Sequence, residues 1–145
     1  AARVVRLFGF DPKVAFVSHS TFGQPLTSRT KHIKNAVEIL KEKNVDFEFD
    51  GDMQPDVALD KEYQNLYPFS KIVGNANILI MPGQHSAAIS YKMMKSLGDS
   101  KVIGPLLIGL GLPIEIAPLR SSTSEIINLA SIAAYSADVI DYKKN

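Results

Sequence analysis

The chain has 145 residues, the size of one domain, and its 46% hydrophobic and 21% charged residues are typical of an ordered globular protein. A formal net charge of +1 gives no reason to expect a nucleic-acid partner, because no general attraction to phosphate backbones is available. No apolar run approaches the ~20 residues that cross a bilayer, and no signal-peptide pattern is present, so we expect no membrane partner. The absence of cysteine suits a cytoplasmic protein, and a first residue other than Met leads us to expect an excised piece of a longer chain.

The first part of the chain predicts a strand, a long helix and a second strand. Lys13–Ser18 is short, apolar and rich in β-forming residues, and a polar loop follows it. Ser28–Lys43 repeats apolar residues at helical spacing, which predicts an amphipathic helix. Val45–Phe49 alternates apolar and acidic residues, so we expect a half-exposed strand near a sheet edge that closes in a turn at Asp50–Gly51.

Further elements follow in order, namely a short helix over Pro55–Asn65, a buried strand over Asn77–Met81 and a helix over Ser86–Leu97. Lys101–Gly111 contains Gly and Pro turn signals around a short strand, and Pro113–Ala117 predicts a final strand. A long last helix, over about residues 122–139, is apolar over much of its circumference, which predicts burial on more than one side. This alternation predicts an α/β fold with a mostly parallel, doubly wound sheet flanked by helices, whose ligand crevice lies beyond the carboxyl ends of the strands.

The loop that leaves the first strand is one candidate ligand site. Ser18, Ser20 and Thr21 offer hydroxyl groups there, and Gly23 allows a ligand oxygen to approach the backbone. The alternative interpretation is an ordinary strand-to-helix turn whose hydroxyl groups bond its own backbone. No phosphate-loop glycine pattern is present to decide between the two.

A second candidate lies where the last helix begins, at Arg120 and Ser122. Unpaired N–H groups at a helix N-terminus attract anions, and an arginine adds a bidentate donor for phosphate oxygens. Ser122 and Glu125 also have the spacing of a capping box, in which both side chains bond the helix backbone. Both interpretations stay open at this point.

Metal and dinucleotide sites are not predicted. The three histidines are scattered without the spacing of a zinc site, and Gly109–Gly111 lacks the third glycine of a dinucleotide-binding fingerprint. The acidic residues at 46, 48 and 50 are interpreted as a solvated strand face, because the loop lacks the closing glutamate of a calcium site.

Six stretches, in one order and at matching spacing, resemble the phosphate acetyl/butyryltransferase family. They are PKVAFVSHSTFG (Pro12–Gly23), VDFEFDGDMQPDVAL (Val45–Leu59), ANILIMP (Ala76–Pro82), SYKMMKSLG (Ser90–Gly98), IGPLLIGL (Ile103–Leu110) and SEIINLASIAA (Ser124–Ala134). The phrases DGDMQPDVAL, LYPFSK, MPGQHSAAISYK and ASIAAY are most similar to the version of this family that is fused to NADP-dependent malic enzymes.

The resemblance implies part of a phosphotransacetylase or isocitrate-dehydrogenase-like fold. Whole domains of the family are longer, so the chain would be a single lobe, residues 1–145, whose final helix packs toward a missing first lobe. The resemblance also implies a homo-oligomer and a remainder of the parent chain as partners. The NADP and divalent metal would then belong to the parent's catalytic region, and we expect no cofactor on this segment.

In the family, a Ser-Arg-Gly sequence precedes a helix-opening aspartate; the arginine binds the acyl phosphate and the aspartate deprotonates the thiol of CoA. Arg120 matches that arginine and Glu125 lies near the aspartate, but Leu119 and Ser121 replace the serine and the glycine. The resemblance therefore implies a site that binds acetyl-CoA or acetyl phosphate and regulates malate decarboxylation in the parent. The Ser18–Thr21 loop, Arg120 and Ser122 would hold anionic groups, with Gly104 and Pro105 as part of the wall.

Two alternatives stay open. The first is a working phosphate acetyltransferase, in which Arg120 holds the oxyanion and Glu125 is the catalytic base. The second is a module that only holds an oligomer together.

Overall fold

In a computed structural model of the chain, residues 1–99 and 101–142 are described, except the side chains of residues 138–142. The chain divides into two compact units, Ala1–Lys92 and Met93–Asn145. The prediction of a single lobe stays a prediction.

The first unit is a parallel sheet with helical connections. Its elements are α1 (Ala2–Leu7), β1 (Lys13–Val17), α2 (Ser28–Glu42), β2 (Glu48–Met53), α3 (Pro55–Leu59), α4 (Lys61–Gln64), β3 (Ile78–Ile80) and the start of α5 (Gln84–Leu97). Within the described residues, the strands pair in the order β2-β1-β3, and both pairings are parallel. The predicted α/β class is confirmed, and α1 is an element that the sequence interpretation missed.

The hydrophobic core of this unit lies between the sheet and α3. Its buried cluster consists of Ala15, Met53, Val57, Ala58, Ile72 and Ala76. On α2, the predicted apolar face consists of Ile33, Ala36, Val37 and Leu40. Val37 is buried and the other three are half-buried, so that prediction is confirmed. The helix begins with a capping box, in which the Thr30 N–H donates to Thr27 Oγ1 at 3.2 Å and the Thr27 N–H donates to Thr30 Oγ1 at 2.8 Å.

The second strand differs from its prediction. A turn at Asp50–Gly51 was expected, but β2 runs through both residues, and Gly51 pairs with Phe16 of β1. Asp50 is buried because its carboxylate accepts hydrogen bonds from the Gly51 N–H at 2.9 Å and the Lys71 N–H at 2.7 Å. These donors replace the water that the sequence pattern had implied, so the prediction of a solvated acidic face is wrong at this position. The edge position of the strand is confirmed.

The predicted helix over Pro55–Asn65 forms as two short helices. The chain leaves helical geometry at Asp60, whose carboxylate accepts from the Glu62 N–H at 2.8 Å and caps α4. An aspartate competes with the helix backbone in this way, which explains the break.

The second unit contains the end of α5, an irregular stretch and α6 (Thr123–Tyr142). The strands predicted within Lys101–Gly111 and at Pro113–Ala117 do not form in the described residues. A strand requires the backbone of a neighbour. Instead, the Leu107 N–H donates to the Glu115 carboxylate at 2.9 Å, so a side chain takes the place of a ladder partner.

The last helix is confirmed, but its predicted burial is not. Among its described side chains only Leu129 is buried, whereas Ile126, Ile127 and Tyr135 are exposed. Much of the apolar surface of its described part, up to residue 137, therefore remains exposed. None of the helices in the described ranges combines the length and apolarity that a membrane span requires.

Candidate functional site

The loop after β1 lies at a place where open parallel sheets bind ligands. From the central β1 the chain crosses to β2 on one side and then returns to β3 on the other. Ligands of such sheets bind beyond the carboxyl ends of the strands, where the direction of winding reverses. The loop from Ser18 to Gly23 begins at the carboxyl end of β1, so this part of the first candidate site is well placed.

The hydroxyl groups of this loop, however, point into the protein. Ser18, Ser20 and Thr21 are all buried, and Ser20 is completely inaccessible. Ser20 Oγ donates to the Asp52 carboxylate and lies 3.2 Å from Ser18 Oγ, while Thr21 Oγ1 accepts from the Gln54 N–H at 3.2 Å. The three side chains therefore stabilise the loop, and their predicted contact with a ligand stays a prediction.

Asp52 is the residue of this region that the sequence interpretation missed. Its side chain is 1% exposed, and its second carboxylate oxygen accepts from the Gly23 N–H at 3.0 Å. No local pattern in the sequence signals this burial, because the donors to Asp52 lie 29 and 32 residues away and the strand register shifts beside it.

The second candidate site begins with a complete capping box. Glu125 Oε2 accepts from the Ser122 N–H at 2.7 Å and from Ser122 Oγ at 3.0 Å, and the Glu125 N–H donates to Ser122 Oγ at 3.3 Å. The other oxygen, Oε1, lies 2.5 Å from Lys95 Nζ. The hydrogen bond from Lys95, together with those from Ser122, lowers the pKa of Glu125 to about 2. Both interactions favour the charged form of the carboxylate.

Arg120 precedes this box and is exposed. In the part of the chain that the structure describes, its guanidinium takes part in no ion pair and no hydrogen bond. Five N–H donors are therefore available to an anion.

A small cavity of about 10 Å³ lies beside the start of α6. Gly104, Ser121 and Glu125 line it together with Val102, Ile103, Pro118, Asn128 and Leu129. Its volume has room for about one water molecule. The structure thus brings the predicted wall residue Gly104 close to the capping box, while Pro105, Arg120 and Ser122 lie outside the lining.

Among the described side chains, those of residues 1–99 and 101–137, no group of three or more histidine or acidic residues could hold a metal ion. His19, His32 and His85 are each exposed.

The comparisons with known proteins agree with this fold. Residues 1–134 match the family described as phosphate acetyl/butaryl transferase. A phosphotransacetylase structure from Streptococcus pyogenes superposes with a TM-score of 0.87 at 35% identity, and the match covers 94% of this chain and 42% of that one. The chain therefore belongs to the phosphate acetyl/butyryltransferase family.

Relatives at the sequence level are of two kinds. An NADP-dependent malic enzyme from Rhizobium meliloti (strain 1021) is 47% identical over 137 residues, which cover 94% of this chain and 18% of the relative. A phosphate acetyltransferase from Clostridium acetobutylicum is 36% identical over 133 residues, which cover 91% of this chain and 40% of the relative. The chain thus spans about a fifth of the length of the malic enzymes it matches. The resemblance to the phosphotransacetylase-like domain of NADP-dependent malic enzymes is confirmed.

Proposed function

We propose that this segment is part of an NADP-dependent malic enzyme and binds acetyl-CoA, and that this binding regulates the oxidative decarboxylation of malate to pyruvate elsewhere in the parent. Acetyl phosphate is the other ligand with the same anionic chemistry. The regulated reaction requires NADP and a divalent metal, which we assign to the parent's catalytic region.

The observation that carries this proposal is the state of Glu125. Both of its oxygens are engaged, and its pKa is lowered to about 2 by the hydrogen bonds from Lys95 and Ser122. An efficient general base has a pKa near the working pH. Glu125 is therefore a poor base for a thiol, which favours a site that binds an acyl-CoA without transferring the acyl group.

Arg120 is the residue that we expect to bind an anionic group of the ligand. Arg120 is exposed and lies three residues before Thr123, where α6 begins, and the positive end of a helix dipole also favours anions. A charged hydrogen bond of this kind contributes about 2 kcal/mol, which corresponds to roughly a 30-fold change in affinity.

The experiment uses the full-length protein and measures two quantities. The first is the rate of NADPH formation from malate with and without acetyl-CoA, and the second is the dissociation constant of acetyl-CoA by calorimetry. We expect acetyl-CoA to change the rate and Arg120→Ala to weaken binding by roughly 30-fold. Arg29→Ala is the matched control, because it removes another exposed arginine, from α2.

The alternative is an active phosphate acetyltransferase, which the similarity to that enzyme from Clostridium acetobutylicum favours. Formation of acetyl-CoA from acetyl phosphate and CoA by the same preparation tests it. Turnover that Arg120→Ala and Glu125→Gln both abolish would establish this alternative and overturn the regulatory proposal.

We also propose that the exposed apolar side chains of α5 and α6 contact the remainder of the parent or a second copy in a homo-oligomer. Ile89, Met93, Met94 and Leu97 on α5 are all exposed, and large exposed apolar patches mark interaction surfaces. Sedimentation of the full-length protein and of a form lacking this segment tests this. If calorimetry detects no acetyl-CoA binding and the shortened form loses the oligomer, the segment is a module that only holds the oligomer together.

A further inference from the structure

The loop after β1 is tied to the end of β2 along its whole length. The Ser18 N–H donates to the Met53 carbonyl at 2.9 Å, and the Phe22 N–H donates to the Asp52 carbonyl at 2.6 Å. The Asp52 carboxylate accepts from Ser20 Oγ with one oxygen and from the Gly23 N–H with the other. A single residue therefore bonds the loop at three points.

Burial of the Asp52 carboxylate costs free energy, because a charged group loses its contacts with water. Its side chain is 1% exposed, and among the described residues no lysine, arginine or histidine forms an ion pair with it. A buried carboxylate without a cation is tolerated only when its oxygens accept hydrogen bonds, and here all the donors come from the loop. The carboxylate and the loop conformation therefore depend on each other.

The conformation that Asp52 imposes determines which side chain faces outward. Ser18, Ser20 and Thr21 are buried, whereas His19 between them is exposed. An imidazole N–H is a donor for a phosphate oxygen. At the carboxyl end of β1, His19 lies where a ligand of this sheet would bind.

We propose that Asp52 is a positioning residue for ligand binding: it holds the loop so that His19 faces the phosphate groups of the ligand. This inference rests on the proposed function, because it takes acetyl-CoA as the ligand. Asp52 is then the buried residue of this loop site, and His19 is the residue that contacts the ligand.

The test measures acetyl-CoA affinity by calorimetry and thermal unfolding by circular dichroism, on the full-length protein. Asp52→Ala leaves Ser20 Oγ and the Gly23 N–H without their acceptor, so we expect roughly tenfold weaker binding or more. Asp52→Asn restores most of the affinity, because the amide oxygen accepts from the Gly23 N–H and the Ser20 hydroxyl group can turn to accept from the amide nitrogen.

Asp50→Ala is the matched control. It also removes a buried carboxylate from β2, but that carboxylate holds the Gly51 and Lys71 N–H groups and makes no bond to the loop. We expect it to lower the unfolding temperature and leave the affinity unchanged. Equal losses of affinity in Asp50→Ala and Asp52→Ala would show that general destabilisation of the fold weakens binding, and would overturn the proposal.

A double-mutant cycle tests the part played by His19. If Asp52 acts through His19, the losses of affinity in His19→Ala and Asp52→Ala are not additive. The double variant then has nearly the same dissociation constant as whichever single variant binds acetyl-CoA more weakly. Additive losses, or an unchanged affinity in His19→Ala, would overturn the proposal.

The test also covers a variant that fails to fold and a protein that does not bind acetyl-CoA. If Asp52→Ala fails to fold, Ser20→Ala takes its place, because it removes one loop bond to Asp52 from a side chain that does not reach the surface. Faster hydrogen exchange in the loop with unchanged affinity would then refute positioning. Absence of acetyl-CoA binding by the unsubstituted protein refutes the proposed function as well, whereas binding that Asp52→Ala leaves intact refutes this inference alone.

Discussion

Gly51→Ala tests whether the close approach of β2 to β1 is essential to the first unit. A Cβ at this position would lie 2.6 Å from the Phe16 carbonyl oxygen and 2.7 Å from Phe16 Cβ. The carbonyl belongs to the neighbouring backbone, so the contact can be relieved only by moving one strand away from the other. The φ of Gly51 is +148°, in a range that L side chains rarely adopt.

The magnitude follows from these two effects. A strained backbone conformation costs about 1–3 kcal/mol, and an overpacked contact costs a further ~1–3 kcal/mol. We therefore expect Gly51→Ala to reduce the free energy of opening β1 and β2 by about 4 kcal/mol. That loss corresponds to roughly a thousandfold faster hydrogen exchange of their paired amides.

Native-state hydrogen exchange with mass spectrometry, on peptides that contain β1 and β2, measures this change in the full-length protein. Two other glycines separate the contributions. Gly9 has a φ of +81° and open space, so Gly9→Ala introduces backbone strain alone and costs about 1–2 kcal/mol. Gly111 has neither strain nor a neighbour within 4 Å, so Gly111→Ala is neutral. Exchange in Gly51→Ala that stays as slow as in Gly111→Ala would refute the reasoning.

Three further outcomes are expected. Thr27→Ala removes the acceptor of the Thr30 N–H and destabilises the first turn of α2 by about 1 kcal/mol, which hydrogen exchange of that turn measures. Met53→Ala removes a side chain that is 1% exposed and packs in the core cluster, so urea unfolding should show a loss of about 2–5 kcal/mol. Glu125 has its pKa lowered from 4.5 to about 2 by Lys95 and Ser122, so its stabilisation of α6 is present above pH 4.5 and is lost as the pH falls toward 2. Glu125→Gln removes this acid-dependent loss, and an unchanged acid transition of α6 by circular dichroism would contradict the assignment.

The elements predicted correctly are those whose sequence pattern involves residues close together in the chain. The apolar period of α2 gave a helix over Ser28–Lys43, and the observed element is Ser28–Glu42. The capping box of Ser122 and Glu125 forms as its spacing indicates. In both cases the interacting groups lie within one or two turns of each other, so a short window of sequence contains both partners.

Other features depend on partners that no short window contains. The sequence placed hydroxyl groups in the loop after β1, but it left open whether they face a ligand or the protein. The bond from Ser20 to Asp52 spans 32 residues, and it decides that the hydroxyl group points inward. The same dependence explains Pro113–Ala117, which has the composition of a strand but pairs with no neighbour in the described residues.

The sequence by itself therefore determined the α/β class, the position of the loop after β1 and the start of the last helix, because periodicity and capping act over a few residues. The tertiary structure alone decided that Asp50 and Asp52 are buried, that β2 continues through Gly51 and that His19 faces solvent. A polar group can be buried only where donors meet it, and those donors are brought together by folding.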